Sequence, residues 1–251
     1  MIGRRNLSVF IRRLGDVHNY KAISRFMMIH PRPVRAIVEE VFSMGRYPRT
    51  VEVRTPTGRC DVRLYSPADL STLNLIFCRQ DYYRPERLSV VVDIGANIGL
   101  SALYWLTRNN GSIVYCYEPA PVSYERLLSN LHRYERRIVP HRLAVSDFSG
   151  IAQLGLEESG VYSSMDLRTA NHVECQVVHI NDLLETVLTR HGQVDVLKID
   201  SEGHELRTIS AIRQEFWKRI RCLNTDCKGA SQFVPGDFRY SSVSSAERFI
   251  R

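Results

Sequence analysis

No run of eighteen or more apolar residues occurs in this chain, so the sequence holds no segment of the length a membrane-spanning helix needs. It lacks a C-x-x-C pair too. The six cysteines (Cys60, Cys78, Cys116, Cys175, Cys222 and Cys227) are scattered, several inside apolar strand-like runs, which predicts reduced, mostly buried thiols. Cys222 and Cys227 with His204 fall short of a zinc pattern, because no second pair accompanies them. Internal repeats and low-complexity linkers are absent. An export signal is incomplete: the early arginine pair precedes an apolar patch, but Arg12 and Arg13 interrupt it and no small-residue cleavage site follows. The expectation is a cytoplasmic chain.

What is present is an ordinary globular composition, 44% hydrophobic and 24% charged over 251 residues, enough for one main domain with an appendage. The net charge of +7 is unevenly spread. Residues 1–59 carry 12 Lys and Arg against 4 Asp and Glu, which leaves 22 basic and 23 acidic residues beyond them. The excess therefore sits in an N-terminal arm, read as 1–49. Within it Leu7, Phe10, Ile11 and Leu14, and again Val34, Ile37, Val38 and Val41 after Pro33, follow helical spacing, with a looser match at Ile23, Phe26 and Met27. Such stripes either pack on the main domain or lie on an anionic surface, giving peripheral contact at the inner membrane.

From Thr50 the period becomes two, and VEVRTPTGRCDVRLY predicts a β-hairpin turning at Pro56 to Gly58. This hairpin and an entry segment fill 50–87. A second alternating pair is expected at Ile151 to Glu157 and Glu174 to Ile180. Apolar runs at Leu88 to Ile94, Ser112 to Tyr117, Ile138 to Val145, Val194 to Ile199 and Ile220 to Leu223 alternate with helical patterns near 98–109, 121–135, 181–190 and 204–218. That alternation predicts βαβ units: an α/β, doubly wound, Rossmann-like domain over 88–251, preceded by the helical and hairpin arm.

The stretch VVVDIGANIGLSALYWL runs a β-branched strand into a glycine turn that opens a helix, where open α/β sheets bind nucleotides. The spacing is D-x-G-x-N-x-G, not the G-x-G-x-x-G of dinucleotide folds. A carboxylate in the turn repels a pyrophosphate and suits an ammonium group, so Asp93 favours S-adenosylmethionine over NAD. Gly95 supplies a positive φ and Gly99 a close helix–strand approach. Glu118, nineteen residues after Gly99 and closing the strand VYCYEP, can accept both ribose hydroxyls; its bland alternative is a helix-capping role.

DIGANIG, then YEP, LAVSD at 143–147 and LKIDSEGHE at 197–205 follow one another as in the FkbM family of S-adenosylmethionine-dependent methyltransferases, which the chain resembles over roughly 50–225. The resemblance implies a class I methyltransferase fold, with Asp93, Gly95, Asn97 and Gly99 around the methionine part, Glu118 on the ribose, and Ser146 and Asp147 by the adenine. It also points to Tyr82, in CRQDYYRP, as lining the acceptor mouth.

A base is needed only if the methyl acceptor is a hydroxyl. Its expected place is Asp200-Ser201-Glu202-Gly203-His204, at the carboxyl end of the fourth strand. His204 titrates nearest neutrality, and Asp200 could orient it, the acceptor or the cofactor's amine. Glu202 is the third candidate, alone or with Asp200 on a divalent cation; no second acidic cluster accompanies them, and no metal is assigned.

The expected function is therefore O-methylation of a small molecule, a sugar hydroxyl of a glycan or glycolipid or a polyketide-type metabolite. Two other readings compete. Nucleic-acid methylation would suit the basic arm, but KIDSEG stands where enzymes gripping a flipped base carry Asn or Asp before Pro-Pro and an aromatic, which disfavours it. A binding module without catalysis is the other. Its support is a C-terminus of 25 residues beyond Asp226 with no clear strand pair, so that the final hairpin reads as shortened, and Asn224-Thr225-Asp226 in place of the family's acid.

Overall fold

The computed structural model describes residues 17–41, 46–156, 163–164, 171–201, 203–243 and 246–251, so the stripe at Leu7 to Leu14 lies outside the described residues. The chain divides into two compact units, Met1–Asp81 and Tyr82–Arg251, so the expected arm and hairpin share one unit and its boundary falls inside the entry segment.

The first unit contains helices α1 (Val17–Ile29) and α2 (Pro33–Val41), the hairpin of β1 (Arg49–Thr55) and β2 (Gly58–Leu64), and α3 (Pro67–Asn74), which runs into a π-turn over Leu75–Arg79. The β1–β2 hairpin closes Thr55 against Gly58, as the Pro56 to Gly58 turn predicts, and alternation buries Val53, Cys60, Val62 and Leu64. Ser66 and Asp69 form a reciprocal capping box ahead of Pro67 at the first helical position, which accounts for the start of α3. His30, on the loop after α1, bonds the Asn74 side chain at 2.7 Å and stacks near Phe26. On α1, Ile23, Met27 and Met28 are exposed and Phe26 is half-buried; on α2, Val34 and Val38 are exposed and Ile37 is half-buried.

The second unit opens with β3 (Val90–Ile94), α4 (Leu100–Leu106), β4 (Ile113–Tyr117), α5 (Pro121–Leu131) and β5 (Ile138–His141). The chain then leaves the main sheet for β6 (Ala144–Ser146), β7 (Gly150–Leu156), β8 (Ser163–Ser164) and β9 (His172–His179). It returns through α6 (Ile180–His191) to β10 (Val196–Ile199), α7 (Glu205–Ser210), α8 (Gln214–Trp217), β11 (Cys222–Thr225), β12 (Arg239–Val243) and β13 (Ala246–Ile250). The main sheet orders these as β12-β13-β11-β10-β3-β4-β5, and a smaller one as β6-β9-β7-β8. β11, β10, β3, β4 and β5 run parallel, and β13 lies antiparallel between β11 and β12.

Three expectations need correction. The run Ile138 to Val145 is two strands in two sheets, because β5 ends after His141 and β6 pairs with β9. The helix expected over 204–218 is broken into α7 and α8 around Arg213, whose backbone is extended. The C-terminal hairpin is not shortened: β12 and β13 pair over five residues and close the sheet. Its strands hide in the sequence because β12, Arg-Tyr-Ser-Ser-Val, is an almost wholly exposed edge with no apolar face to betray it. The pair expected at Ile151 and Glu174 is present as β7 against β9, with Ile151 opposite Gln176.

One face of the main sheet carries the apolar core, where Val92, Ile94, Leu197, Ile199, Leu223 and Phe249 meet α6, α7 and α8. On the other face α4 is buried all round, from Leu100 to Leu106, as a helix of sequence LSALYWL must be. The chain passes outward from β3 to β4 and β5 and re-enters at β10, so the order reverses between β3 and β10. Their carboxyl ends form the crevice where such sheets bind ligands.

Candidate functional site

Gly95 follows β3 directly. Its φ is +73°, and a Cβ there would stand 1.7 Å from the Asp200 carbonyl oxygen, so the ends of β3 and β10 touch and only glycine fits. Asn97 follows with φ +47°, and Gly99, φ +87°, caps α4 while lying against Leu127 and Leu131 of α5. The turn's own amides are largely spent inside the protein. Gly95 and Ala96 donate to the Tyr117 carbonyl, Gly99 to that of Ala96, and Asn97 to Glu118 Oε2 at 2.8 Å. A pyrophosphate needs bare N–H groups and finds none at these four positions.

What the turn presents instead is carboxylate. Glu118, one residue past β4 and buried, accepts from Asn97 N on one oxygen and from Ala120 N at 2.9 Å on the other. Burial pushes its carboxyl up to about 7, against the pull of those two amides. A neutral-range acid fixed beside the turn suits a ligand that brings hydroxyl donors.

Asp93 is placed differently from the expectation. It is 0% exposed, with one oxygen taking the Ser101 hydroxyl at 2.6 Å and the other 3.2 Å from the Lys198 ammonium. The ammonium that this carboxylate holds is the protein's own. Lys198, in the middle of β10, was not singled out from the sequence although a charge inside Val-Leu-Lys-Ile is itself a flag, since a central parallel strand is apolar on both faces. Its Nζ donates to the carbonyls of Gly95 at 2.6 Å and Ile94 at 3.2 Å and lies 3.4 Å from Asp200 Oδ2. Burial pulls the ammonium's pKa down, but Asp93 and Asp200 outweigh it and hold Lys198 above its ordinary value, so it stays charged.

Asp200 is the one of these carboxylates that opens outward, its side chain 29% exposed. Oδ2 takes both the Lys198 ammonium and the Tyr82 hydroxyl, the latter at 3.2 Å, while Oδ1 accepts nothing among the described residues. Tyr82 also lies over Lys198, with Nζ 5.9 Å from the ring centroid, and packs 5.9 Å from Trp105. Burial and the charge on Asp200 push its phenol well above the usual range, so it remains a donor.

The structure does not bring His204 to Asp200. His204 is buried at the start of α7, and its Nδ1 lies 3.4 Å from the hydroxyl of Ser146, which donates to Asp147 at 2.9 Å. Asp147 is also held by Arg207 at 3.2 Å. His204 thus belongs with the pair expected near the adenine, because the turn at Gly203 (φ +107°) carries the chain away from β10 toward β6. Glu202 lies outside the described residues. Glu205 ties this loop down by accepting from Ser201 N and Gly203 N.

A family model described as the methyltransferase FkbM domain matches residues 93–248. The 31-O-demethyl-FK506 methyltransferase FkbM of Streptomyces tacrolimicus is 29% identical over 168 aligned positions, covering 53% of this chain and 62% of that protein. The hexuronic acid methyltransferase AglP of Haloferax volcanii is 28% identical over 130, covering 51% of each. The chain thus spans between half and two thirds of the length of these curated relatives. Among solved structures, the Methanococcus jannaschii fibrillarin pre-rRNA processing protein overlays with a TM-score of 0.42 at 13% identity, covering 81% of each chain.

Proposed function

The chain belongs to the FkbM family of methyltransferases, and from that premise we propose that it transfers a methyl group from S-adenosylmethionine to a hydroxyl of a small acceptor, either a sugar of a glycan or glycolipid or a polyketide-type metabolite. The observation that carries the proposal is the pair of carboxylates at the reversal of strand order. Glu118 sits beside the glycine turn, and Asp200 Oδ1 next to it accepts nothing among the described residues. The substrate class is supported by the relatives, one named for a polyketide-type compound and one for a hexuronic acid. The β12–β13 hairpin answers one of the two departures that favoured a module without catalysis, and Asn224-Thr225-Asp226 remains the other.

Bound S-adenosylmethionine supplies an electrophilic methyl group on a sulfonium. Glu118 would hold the ribose hydroxyls, and Ser146 and Asp147 would lie on the adenine side. Gly95, Asn97 and Gly99 would shape the turn around the methionine part, and Asp93 would act on it through Lys198. Asp200 Oδ1 would orient the acceptor hydroxyl and hold its proton, while the bound sulfonium would give up its methyl and leave as the neutral thioether. Alignment of this kind supplies much of the rate in an in-line displacement. His204 serves the cofactor side, through Ser146.

Two measurements test this. Calorimetric titration should show micromolar cofactor binding that Glu118→Ala abolishes, and unchanged affinity in that variant would sink the cofactor assignment. Asp200→Asn should keep the affinity and lose roughly a hundredfold or more in turnover. The acceptor is found by incubating the protein with labelled cofactor and extracts of its source and following label into lipid, sugar or RNA fractions; label in RNA alone would overturn the small-molecule reading. The exposed apolar side chains of α1 and α2, set among Arg25, Arg32 and Arg35, support a peripheral contact of this arm with an anionic membrane surface.

A further inference from the structure

Asn224 lies near the end of β11. It is fully buried in β11 and is the cross-strand partner of Lys198, which in turn pairs with Asp93, so the three side chains form a polar row on one face of the sheet. Its carboxamide faces the backbone of Tyr83. Oδ1 accepts from Tyr83 N at 2.9 Å, and Nδ2 donates to Tyr83 O at 2.9 Å. These two bonds reproduce the exchange by which one strand residue pairs with another, here made by a side chain across 141 residues of sequence. The segment they hold, residues 82–89, has no regular secondary structure, so no ladder fixes it. Adjacent to the clamped residue is Tyr82, whose hydroxyl donates to Asp200 and whose ring lies over Lys198. An ionised acid at position 224 could accept from Tyr83 N but has no proton for Tyr83 O, whereas the carboxamide satisfies both.

We propose that Asn224 is a positioning residue: by clamping the backbone of Tyr83 it fixes the Tyr82 hydroxyl on Asp200 Oδ2, and so turns Oδ1 toward the acceptor. This rests on the reading of Asp200 as the acceptor-side carboxylate, but the placement of Tyr82 is testable without any acceptor. A buried phenol bonded to a carboxylate resists ionisation, and one released to solvent does not.

The experiment places 3-fluorotyrosine at position 82 and follows its fluorine resonance against pH in the full chain. In the parent the resonance should stay flat through the range in which free 3-fluorotyrosine ionises. In Asn224→Ala it should titrate there. Asn224→Asp, which keeps the shape and one of the two bonds, carries the same test if the alanine variant does not fold, and it should titrate earlier than the parent. Superimposable curves in parent and folded variant would overturn the proposal. Turnover supplies a readout that a merely structural role would not produce. Asn224→Ala should lower kcat about a hundredfold, the scale of an ångström's misplacement, with cofactor affinity intact. Its effect should vanish in a Tyr82→Phe background, whereas additive losses would mean that Asn224 acts elsewhere. A chain that methylates nothing leaves the titration readable, so failure of the function and failure of the clamp are separate results.

Discussion

At the residue scale the site is a set of charges sorted by burial. Asp93, Glu118 and Asp200 all lie within a few residues of a strand end, yet Asp93 is sealed onto Lys198, Glu118 is buried on two amides and Asp200 opens outward. The difference gives Glu118 a measurable signature. With its carboxyl near 7, it is mostly protonated at pH 6 and mostly ionised at pH 8, and ligand hydroxyls donate better to the ionised form. Cofactor affinity should therefore rise about tenfold from pH 6 to pH 8, and calorimetry on Glu118→Gln should give a flat profile. A parent profile as flat as the variant's would remove Glu118 from the binding site. Much of this inventory was legible in advance: Gly95, Gly99, Glu118 and Asp200 are at the positions that a strand–turn–helix reading assigns. What was not legible is pairing across the sheet. Nothing local says that Lys198 lies beside Asp93, which the parallel register decides, or that Asn224 faces Tyr83, which the path of the irregular segment 82–89 decides. The same limit applies to His204, since spacing from Asp200 cannot show that its ring lies by Ser146.

At the element scale, apolar runs and helical periodicity located the five parallel strands and most of the helices, because a parallel strand buried on both faces and a helix with one apolar side each leave a periodic trace. Elements whose stability is borrowed from neighbours left none. β6 is three residues long and depends on β9, and β12 depends on β13, which itself hides among charged residues. Phe249 shows where β13 gains its hold: it is 2% exposed, packed in the main core and 5.4 Å from Tyr240. Phe249→Ala should destabilise the protein by about 3 to 5 kcal/mol in denaturant unfolding. A loss below about 1 kcal/mol would mean the hairpin is not part of the cooperative unit.

For the whole molecule, the neutral body and basic arm foreseen in the sequence correspond to chemistry in different places. The crevice at the reversal of strand order is the proposed ligand site, and the arm offers apolar side chains among arginines. No helix among the described residues is long and apolar enough to cross a membrane. Full-length protein should pellet with vesicles containing anionic lipid, more weakly as salt is raised, and protein lacking residues 1–47 should stay in solution. Equal pelleting of the two forms would overturn the contact.

The main sheet has two borders, β5 on one side and β12 on the other. Open borders invite other chains to add on as extra strands, and proteins blunt them with proline and charge. Pro140 withholds an amide in β5, and β12 begins with Arg239 and is only five residues long. A chain that carries many arginines and an apolar arm thus has little at either border to seed a growing aggregate, and replacing Pro140 or Arg239 with a β-branched residue would remove that safeguard without touching the crevice.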